Sequence, residues 1–138
     1  MPLQIINSFA TWILKKRIHQ MELFLKYPHE VQEELLFNLI KASENTQLGK
    51  KYDFSSMKSY TSFSERIPVS TYEELEPLIE KTRQGEQNVF WHSNIKWFAK
   101  SSGTTNAKSK FIPVSSEALE NCHYKASKDL LCLYLNNN

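Results

Sequence analysis

Residues 96–114 read KWFAKSSGTTNAKSKFIPV, and this segment is the most informative part of the sequence for the fold. Its two ends, residues 96–99 and 111–114, are mainly apolar and contain the aromatic and β-branched side chains that are typical of short strands. The segment between them, residues 100–110, is polar. The pattern predicts a β-hairpin whose strands hold the two ends of a long polar loop close together.

The loop has the composition of a phosphate-binding loop. Four hydroxyl residues surround Gly103, and Lys108 and Lys110 follow; the hydroxyl residues are Ser101, Ser102, Thr104 and Thr105. Hydroxyls and backbone N–H groups can cradle phosphate oxygens, a lysine neutralises their charge, and glycine lets the backbone come close. The common P-loop pattern is absent, and this loop leads into a strand rather than a helix. On composition alone, a plain connecting loop is the more frequent explanation of such a cluster.

The sequence before the hairpin predicts a helical first half, so the fold class is α/β. One helix is expected over residues 3–26 and a second over residues 28–45, packed as an antiparallel pair. The second helix would bury a stripe made of Val31, Leu35, Leu36, Leu39 and Ile40. Gly49 is expected to end this helix. Residues 50–70 alternate serines with aromatic side chains and predict a loop with short turns.

A further helix is predicted just before the hairpin. Thr71 and Glu74 have the spacing of a capping box, which marks a helix start. Pro77 is expected to break or kink this helix, giving a short turn over residues 72–75 and a longer helix over residues 77–84. Gly85 would end it.

The last helix is predicted over residues 116–135, with Ser115 or Ser116 as its N-cap. Its apolar face would contain Leu119, Cys122, Ala126, Leu130 and Leu133, with Cys122 as a core residue.

Composition excludes several classes of protein. The chain has 138 residues, which fits one domain, and a net charge of +2, which is too small to indicate a nucleic-acid partner. Its two cysteines exclude a disulfide scaffold, and Cys and His are too few for a structural metal site. The apolar N-terminal run is too short and polar to span a membrane, and it lacks the charge order of a secretory signal, so we expect a cytoplasmic protein. Lys15, Lys16 and Arg17 are expected to form a solvated helix face, and His92 a surface histidine without a carboxylate partner.

The motifs together resemble the GH3 family of acyl-adenylating acid–amido synthetases. The signature is SSGTT at 101–105 with Lys110 and IPV at 112–114. Other matching stretches occur in the same order along the chain: NTQLGK at 45–50, Phe63, RIPV at 66–69, Tyr72-Glu73, Pro77, Ile79-Glu80 and GEQNVFW at 85–91.

The resemblance implies a two-step reaction. ATP and a small carboxylic acid give an acyl-adenylate and pyrophosphate, and an amine, such as that of an amino acid, then forms an amide. By position, the ATP phosphates would be bound by Ser101, Ser102, Gly103, Thr104, Thr105 and Lys110. Mg²⁺ would assist by bridging phosphate oxygens, although no carboxylate near the loop is an obvious ligand. The resemblance names no catalytic residue within this chain.

The resemblance also implies an incomplete enzyme. Family members are several times longer, so residues 1–138 would be the N-terminal portion of one adenylating domain: a helical pair over 1–49, short helices and irregular segments over 50–95, and the hairpin with the last helix over 96–138. We therefore expect exposed apolar surface around the hairpin and no catalysis by this chain alone. Two rival interpretations remain, an acyl-CoA ligase of the same superfamily and a small helical interaction module without catalysis.

Overall fold

The computed structural model describes residues 2–101 and 109–137, which form a mixed, helix-rich fold containing a two-stranded antiparallel sheet. The predicted combination of helices and a hairpin is thus confirmed. The elements, in chain order, are α1 (Pro2–Lys26), α2 (Pro28–Ser43), α3 (Gln47–Lys51), a 3₁₀ turn (Phe54–Ser56), α4 (Tyr60–Arg66), α5 (Tyr72–Arg83), β1 (Trp97–Lys100), β2 (Phe111–Val114), α6 (Ser116–Ala118), a π-helix (Leu119–Tyr124) and α7 (Lys125–Asn137). The chain divides into two compact units. The first, Met1–Gln32 with Leu119–Asn138, contains α1 and α7 and is called the α1–α7 unit. The second, Glu33–Ala118, is called the hairpin unit.

The predicted hairpin is present. β1 and β2 pair in antiparallel register, with Trp97 opposite Val114 and Lys100 opposite Phe111. Trp97 and Ile112 remain about half exposed, at 51% and 53%. Exposed apolar surface on the hairpin is therefore also confirmed.

Helix α5 begins where the sequence predicted and continues through its proline. The Thr71 hydroxyl accepts a hydrogen bond from the Glu74 N–H, and the Glu74 carboxylate accepts one from the Thr71 N–H at 2.7 Å. The predicted break at Pro77 is wrong, because the helix runs unbroken over Tyr72–Arg83. Pro77 removes only the hydrogen bond to the Glu73 carbonyl, and both residues are exposed, so water can replace the missing donor.

The end of α5 follows the prediction at Gly85. This residue has a φ of +99°, in the left-handed region that glycine adopts without steric cost. Its N–H donates to the Thr82 carbonyl at 3.1 Å, and the Glu86 N–H donates to the Lys81 carbonyl at 3.0 Å. These two bonds form a Schellman motif that satisfies the last carbonyls of the helix.

The core of the hairpin unit lies between α2 and the segments that follow it. Its buried residues are Ile40, Phe54 and Met57, and the side chains packed around them are Leu36, Phe37, Leu48, Tyr52, Phe63 and Ile67. The predicted stripe of α2 is wrong at Leu35 and Leu39, which are 57% and 45% exposed. These two side chains lie one helix turn apart on a different line from Leu36 and Ile40, and the core covers only the second line.

Gly49 does not end a helix. It lies inside α3, which Thr46 caps: the Thr46 hydroxyl accepts from the Gly49 N–H at 2.9 Å. A Cβ at position 49 would lie 2.0 Å from the Ser43 carbonyl oxygen. Glycine is needed here because α3 packs against the end of α2 by backbone contact.

The segment predicted to be irregular contains a helix, α4. Its N-cap, Ser59, accepts a hydrogen bond from the Ser62 N–H at 3.1 Å, and the Ser62 hydroxyl accepts one from the Ser59 N–H at 3.2 Å. This is a capping box with serine in the position that Glu or Gln usually occupies, so the usual sequence signature does not reveal it.

The backbone at the join between the first two helices keeps helical hydrogen bonds. The Tyr27 N–H donates to the Leu23 carbonyl at 2.8 Å, and the Val31 N–H donates to the Tyr27 carbonyl at 3.1 Å. Both bonds have α-helical spacing, so helical hydrogen bonding continues through Tyr27. Pro28 fits because the first turn of a helix needs no N–H donor.

In the α1–α7 unit, α1 packs against α7. The Arg17 guanidinium donates two hydrogen bonds to the Asp129 carboxylate, through Nε and through Nη2, the second at 2.5 Å. Arg17 is 14% exposed and Asp129 is 23% exposed, which corrects the expectation that Arg17 belongs to a solvated face. Across residues 2–101 and 109–137, no helix combines the length and the apolar character that crossing a membrane would require.

The last helix starts as predicted but changes form. Ser115 caps it, since its hydroxyl accepts from the Ala118 N–H at 3.1 Å. Cys122 lies in the π-helical segment and is exposed, whereas Cys132 in α7 is buried, so the predicted core role of Cys122 is wrong. A π-helix has a wider turn, so a stripe with α-helical spacing does not stay on one face through it.

Candidate phosphate-binding site

The two strands bring the ends of the predicted loop together. The Ser101 N–H donates to the Lys110 carbonyl at 2.9 Å, and the Lys110 N–H donates to the Ser101 hydroxyl oxygen at 3.3 Å. These bonds extend the strand pairing by one residue beyond Lys100 and Phe111. The first and last of the predicted phosphate contacts therefore face each other at the mouth of the loop. The other four lie outside the described residues: Ser102, Gly103, Thr104 and Thr105.

The Lys110 ammonium contacts the first turn of α5. Its Nζ lies 2.9 Å from Oε1 of Glu73 and 4.8 Å from the centre of the Tyr72 ring. The hydrogen bond from Lys110, the bond from Glu73's own backbone N–H and the nearby positive charge together hold the pKa of Glu73 below its usual value. The lysine is 41% exposed and the glutamate 67%, so both remain accessible to a ligand from solvent.

Helix α5 also holds the backbone that follows Lys110. The Tyr72 hydroxyl accepts a hydrogen bond from the Phe111 N–H at 3.0 Å. At the other end of α5, the Arg83 guanidinium lies 4.0 Å from the centre of the Phe111 ring. Phe111 is thus contacted from both ends of α5, which fixes the strand where it leaves the loop.

The donors at the mouth of the loop suit an anion. The Ser101 hydroxyl oxygen accepts from the Lys110 N–H, so its own proton can be donated to a ligand. A lysine ammonium carries three donors, and the bond to Glu73 uses one of them. Phosphate oxygens accept such charge-assisted hydrogen bonds strongly. Within residues 2–101 and 109–137, no group of three His, Cys, Asp or Glu side chains is placed to hold a metal ion.

His92 has a carboxylate neighbour that the sequence did not predict. Its Nε2 lies 3.9 Å from Oε1 of Glu117, beyond hydrogen-bonding distance, and its ring stacks at an angle against Trp91 at 4.7 Å. Glu117 also accepts a hydrogen bond from the Ser93 hydroxyl at 2.8 Å. Its own backbone N–H and Ser93 lower the pKa of Glu117. His92 is 49% exposed, as expected of a surface histidine.

Sequence reasoning missed the part that Tyr72 and Glu73 play at the loop. Both residues belong to the matching stretches quoted above, but no spacing links them to Lys110. The capping box at Thr71 was the available signal, because it places both residues in the first turn of a helix. It does not indicate which strand that turn contacts.

Comparison with known proteins agrees with the motifs. The model of the GH3 family N-terminal domain matches residues 17–138. The chain is 30% identical over 106 residues to indole-3-acetic acid-amido synthetase GH3.2 of Arabidopsis thaliana, covering 76% of this chain and 19% of that protein. It is 29% identical over 104 residues to jasmonoyl-L-amino acid synthetase JAR4 of Nicotiana attenuata, covering 75% and 18%. The chain therefore spans about a fifth of the length of these curated relatives. Because the family model matches most of its residues, the chain belongs to the GH3 family.

Proposed function

We propose that this chain is part of an ATP-dependent acid–amido synthetase, a ligase that activates a carboxylic acid as an acyl-adenylate and joins it to an amine. Its hairpin loop would bind the ATP phosphates, and residues 1–138 would belong to one adenylating domain. Membership of the family supports the class of reaction, since the relatives named above are amido synthetases.

The observation that carries the proposal is the geometry at the mouth of the loop. A lysine ammonium and a serine hydroxyl come from residues whose backbones are hydrogen-bonded to each other, at 2.9 Å between the Ser101 nitrogen and the Lys110 oxygen. Both groups are donors for phosphate oxygens, and the strand pairing brings the two backbones that carry them together. Donors that are already in place need little rearrangement when negative charge builds up on a leaving group.

In the first step, a carboxylate oxygen of the acid bonds to the α-phosphorus of ATP and pyrophosphate leaves. In the second, the amine nitrogen bonds to the acyl carbon, AMP leaves, and the nitrogen loses a proton. Lys110 and Ser101, with Ser102, Gly103, Thr104 and Thr105, would bind the β- and γ-phosphates and so stabilise the departing pyrophosphate. Mg²⁺, when bound to the nucleotide, would neutralise further phosphate charge.

ATP titration by calorimetry tests the phosphate site. The Lys110→Ala chain should bind ATP about ten- to a hundredfold more weakly than the original chain, because a charge-assisted hydrogen bond is lost. Lys96→Ala is the matched control, since Lys96 is an exposed lysine just before β1 and should leave the affinity unchanged. Equal losses of ATP affinity in Lys110→Ala and Lys96→Ala would mean that ATP is attracted by positive charge in general, and this result would contradict the proposal.

A chimera tests the reaction. Residues 17–138 would replace the matching segment of the Arabidopsis relative, and pyrophosphate release would be measured with indole-3-acetic acid and ATP. We expect release that depends on Lys110, and an amide product when amino acids are supplied. A thioester formed with coenzyme A, and no amide, would favour an acyl-CoA ligase. Full activity of the Lys110→Ala chimera would contradict a role for the loop.

A further inference from the structure

We propose that the first turn of α5 positions Lys110 for the phosphates of ATP, with Tyr72 and Glu73 as the positioning residues. The inference rests on the proposed function, because it assigns both residues to the same phosphate-binding site. Neither would be a catalytic residue, since each acts through Lys110 or through the backbone beside it.

Three contacts from two consecutive residues converge on this lysine and on the residue after it: two on Lys110 and one on Phe111. The Glu73 carboxylate holds the ammonium at 2.9 Å, and the Tyr72 ring lies under the same ammonium at 4.8 Å. The Tyr72 hydroxyl accepts from the N–H of Phe111, the next residue along the chain, at 3.0 Å. The first turn of α5 therefore fixes both the charged end of Lys110 and the backbone that carries it.

Such contacts matter because a lysine side chain has many rotamers. An unrestrained ammonium loses this freedom when it binds a phosphate, and that loss weakens binding. Contacts that hold it beforehand reduce the loss on binding, which is the general effect of preorganisation. Glu73 uses one of the three ammonium donors, so Lys110 can contact a phosphate oxygen without releasing the carboxylate.

The negative charge of Glu73 acts in the opposite direction, because it repels a polyphosphate. Water and salt screen this repulsion strongly, since Glu73 is 67% exposed. Repulsion does not depend on the presence of Lys110, whereas positioning does. A double-mutant cycle can therefore separate the two effects.

The test is ATP binding by calorimetry to four forms of the 138-residue chain: the original, Glu73→Gln, Lys110→Ala and the double variant. We expect Glu73→Gln to weaken binding about two- to fivefold when Lys110 is present and to have no weakening effect when it is absent. Tyr72→Phe keeps the ring and removes the acceptor for the Phe111 N–H, so it should weaken binding about two- to tenfold. Glu76→Gln removes the same charge from an exposed position of the same helix and should not weaken binding.

The outcomes separate this inference from the function on which it rests. Wild-type affinity in Lys110→Ala would overturn both. A weakened Lys110→Ala chain together with unchanged or tighter binding by Glu73→Gln would overturn the positioning role alone. The same loss from Glu73→Gln with and without Lys110 would also overturn it, because the effect would then be structural. Because Glu73 is exposed, its variant should fold even if Tyr72→Phe does not, and circular dichroism checks this.

Discussion

Two ion pairs in this molecule join the same kinds of group in different surroundings. In the α1–α7 unit, Arg17 and Asp129 are 14% and 23% exposed and share two hydrogen bonds. In the hairpin unit, Lys110 and Glu73 are 41% and 67% exposed and share one contact. The first pair links two helices, and the second lies at the mouth of a loop that we expect to bind a ligand.

The difference in exposure indicates whether an ion pair stabilises the fold or is available to bind a ligand. A shielded, two-point pair cannot lose one partner without leaving the other charge poorly solvated, so removal of either residue should destabilise the packing of α1 on α7. An exposed lysine in a one-point pair contributes little to stability, because water and salt compete for it. The same exposure lets a dissolved anion reach it. We therefore expect mutations in the first pair to change stability and mutations in the second to change binding.

The largest expected effect is the loss of stability in Arg17→Met. The change leaves the shielded Asp129 carboxylate without its donor, and we expect a destabilisation of about 1–3 kcal/mol. Unfolding in urea, followed by circular dichroism, measures it. Lys15→Met, a change at an exposed neighbour, and Lys110→Met should both leave the midpoint close to that of the original chain. If Lys110→Met lowers the free energy of unfolding more than Arg17→Met does, the proposed difference between the two ion pairs is wrong.

The Arg17–Asp129 pair should also make the free energy of unfolding depend on pH, and this dependence should appear only at acidic pH. The hydrogen bonds from Arg17 are the main reason why the pKa of Asp129 lies below its usual value, and the nearby charge adds to them. Protons therefore bind the unfolded carboxylate more readily. The stabilisation is complete above the unfolded pKa of about 4 and is lost as the pH falls through the lower, folded value.

Comparison with Asp129→Asn isolates this contribution. The difference in unfolding free energy between the original chain and the variant should be constant near neutral pH and should shrink below about pH 4. Urea titrations at a series of pH values measure the difference. If this difference in unfolding free energy stays constant at every acidic pH measured, the Asp129 carboxylate is not the cause of the pH dependence.

The two ion pairs also show which kind of feature the sequence does not predict in this structure. The hairpin follows from residues 96–114 alone, because strand pairing across one loop is a local feature. The ends of α5 follow from Thr71 and Gly85 for the same reason. Neither ion pair has a local signal: Arg17 follows two lysines that share its charge, and its partner Asp129 lies 112 residues further along the chain.

At the candidate site, the sequence predicted the two residues at the mouth of the loop but not what holds them. Ser101 and Lys110 belong to a recognisable motif, and they lie next to each other because the two strands pair. Glu73 lies on α5, and its contact with Lys110 depends on how that helix packs against β2. Residue propensity and hydrophobic periodicity predict one helix or strand at a time, so they do not predict a contact between two such elements.

The smallest expected effect, and the most direct test of the exposed pair, is the titration of Glu73. Hydrogen bonding from Lys110 is the main cause that lowers the pKa of this carboxyl. In Lys110→Ala, the pKa should therefore rise toward its ordinary value, which ¹³C NMR of the Glu73 carboxyl carbon can measure without any ligand. The pKa of Asp53 is lowered mainly by Ser56, and it should not change in this variant. A Glu73 titration that is identical with and without Lys110 would mean that the two side chains do not pair in solution, and it would overturn the positioning of Lys110 by Glu73.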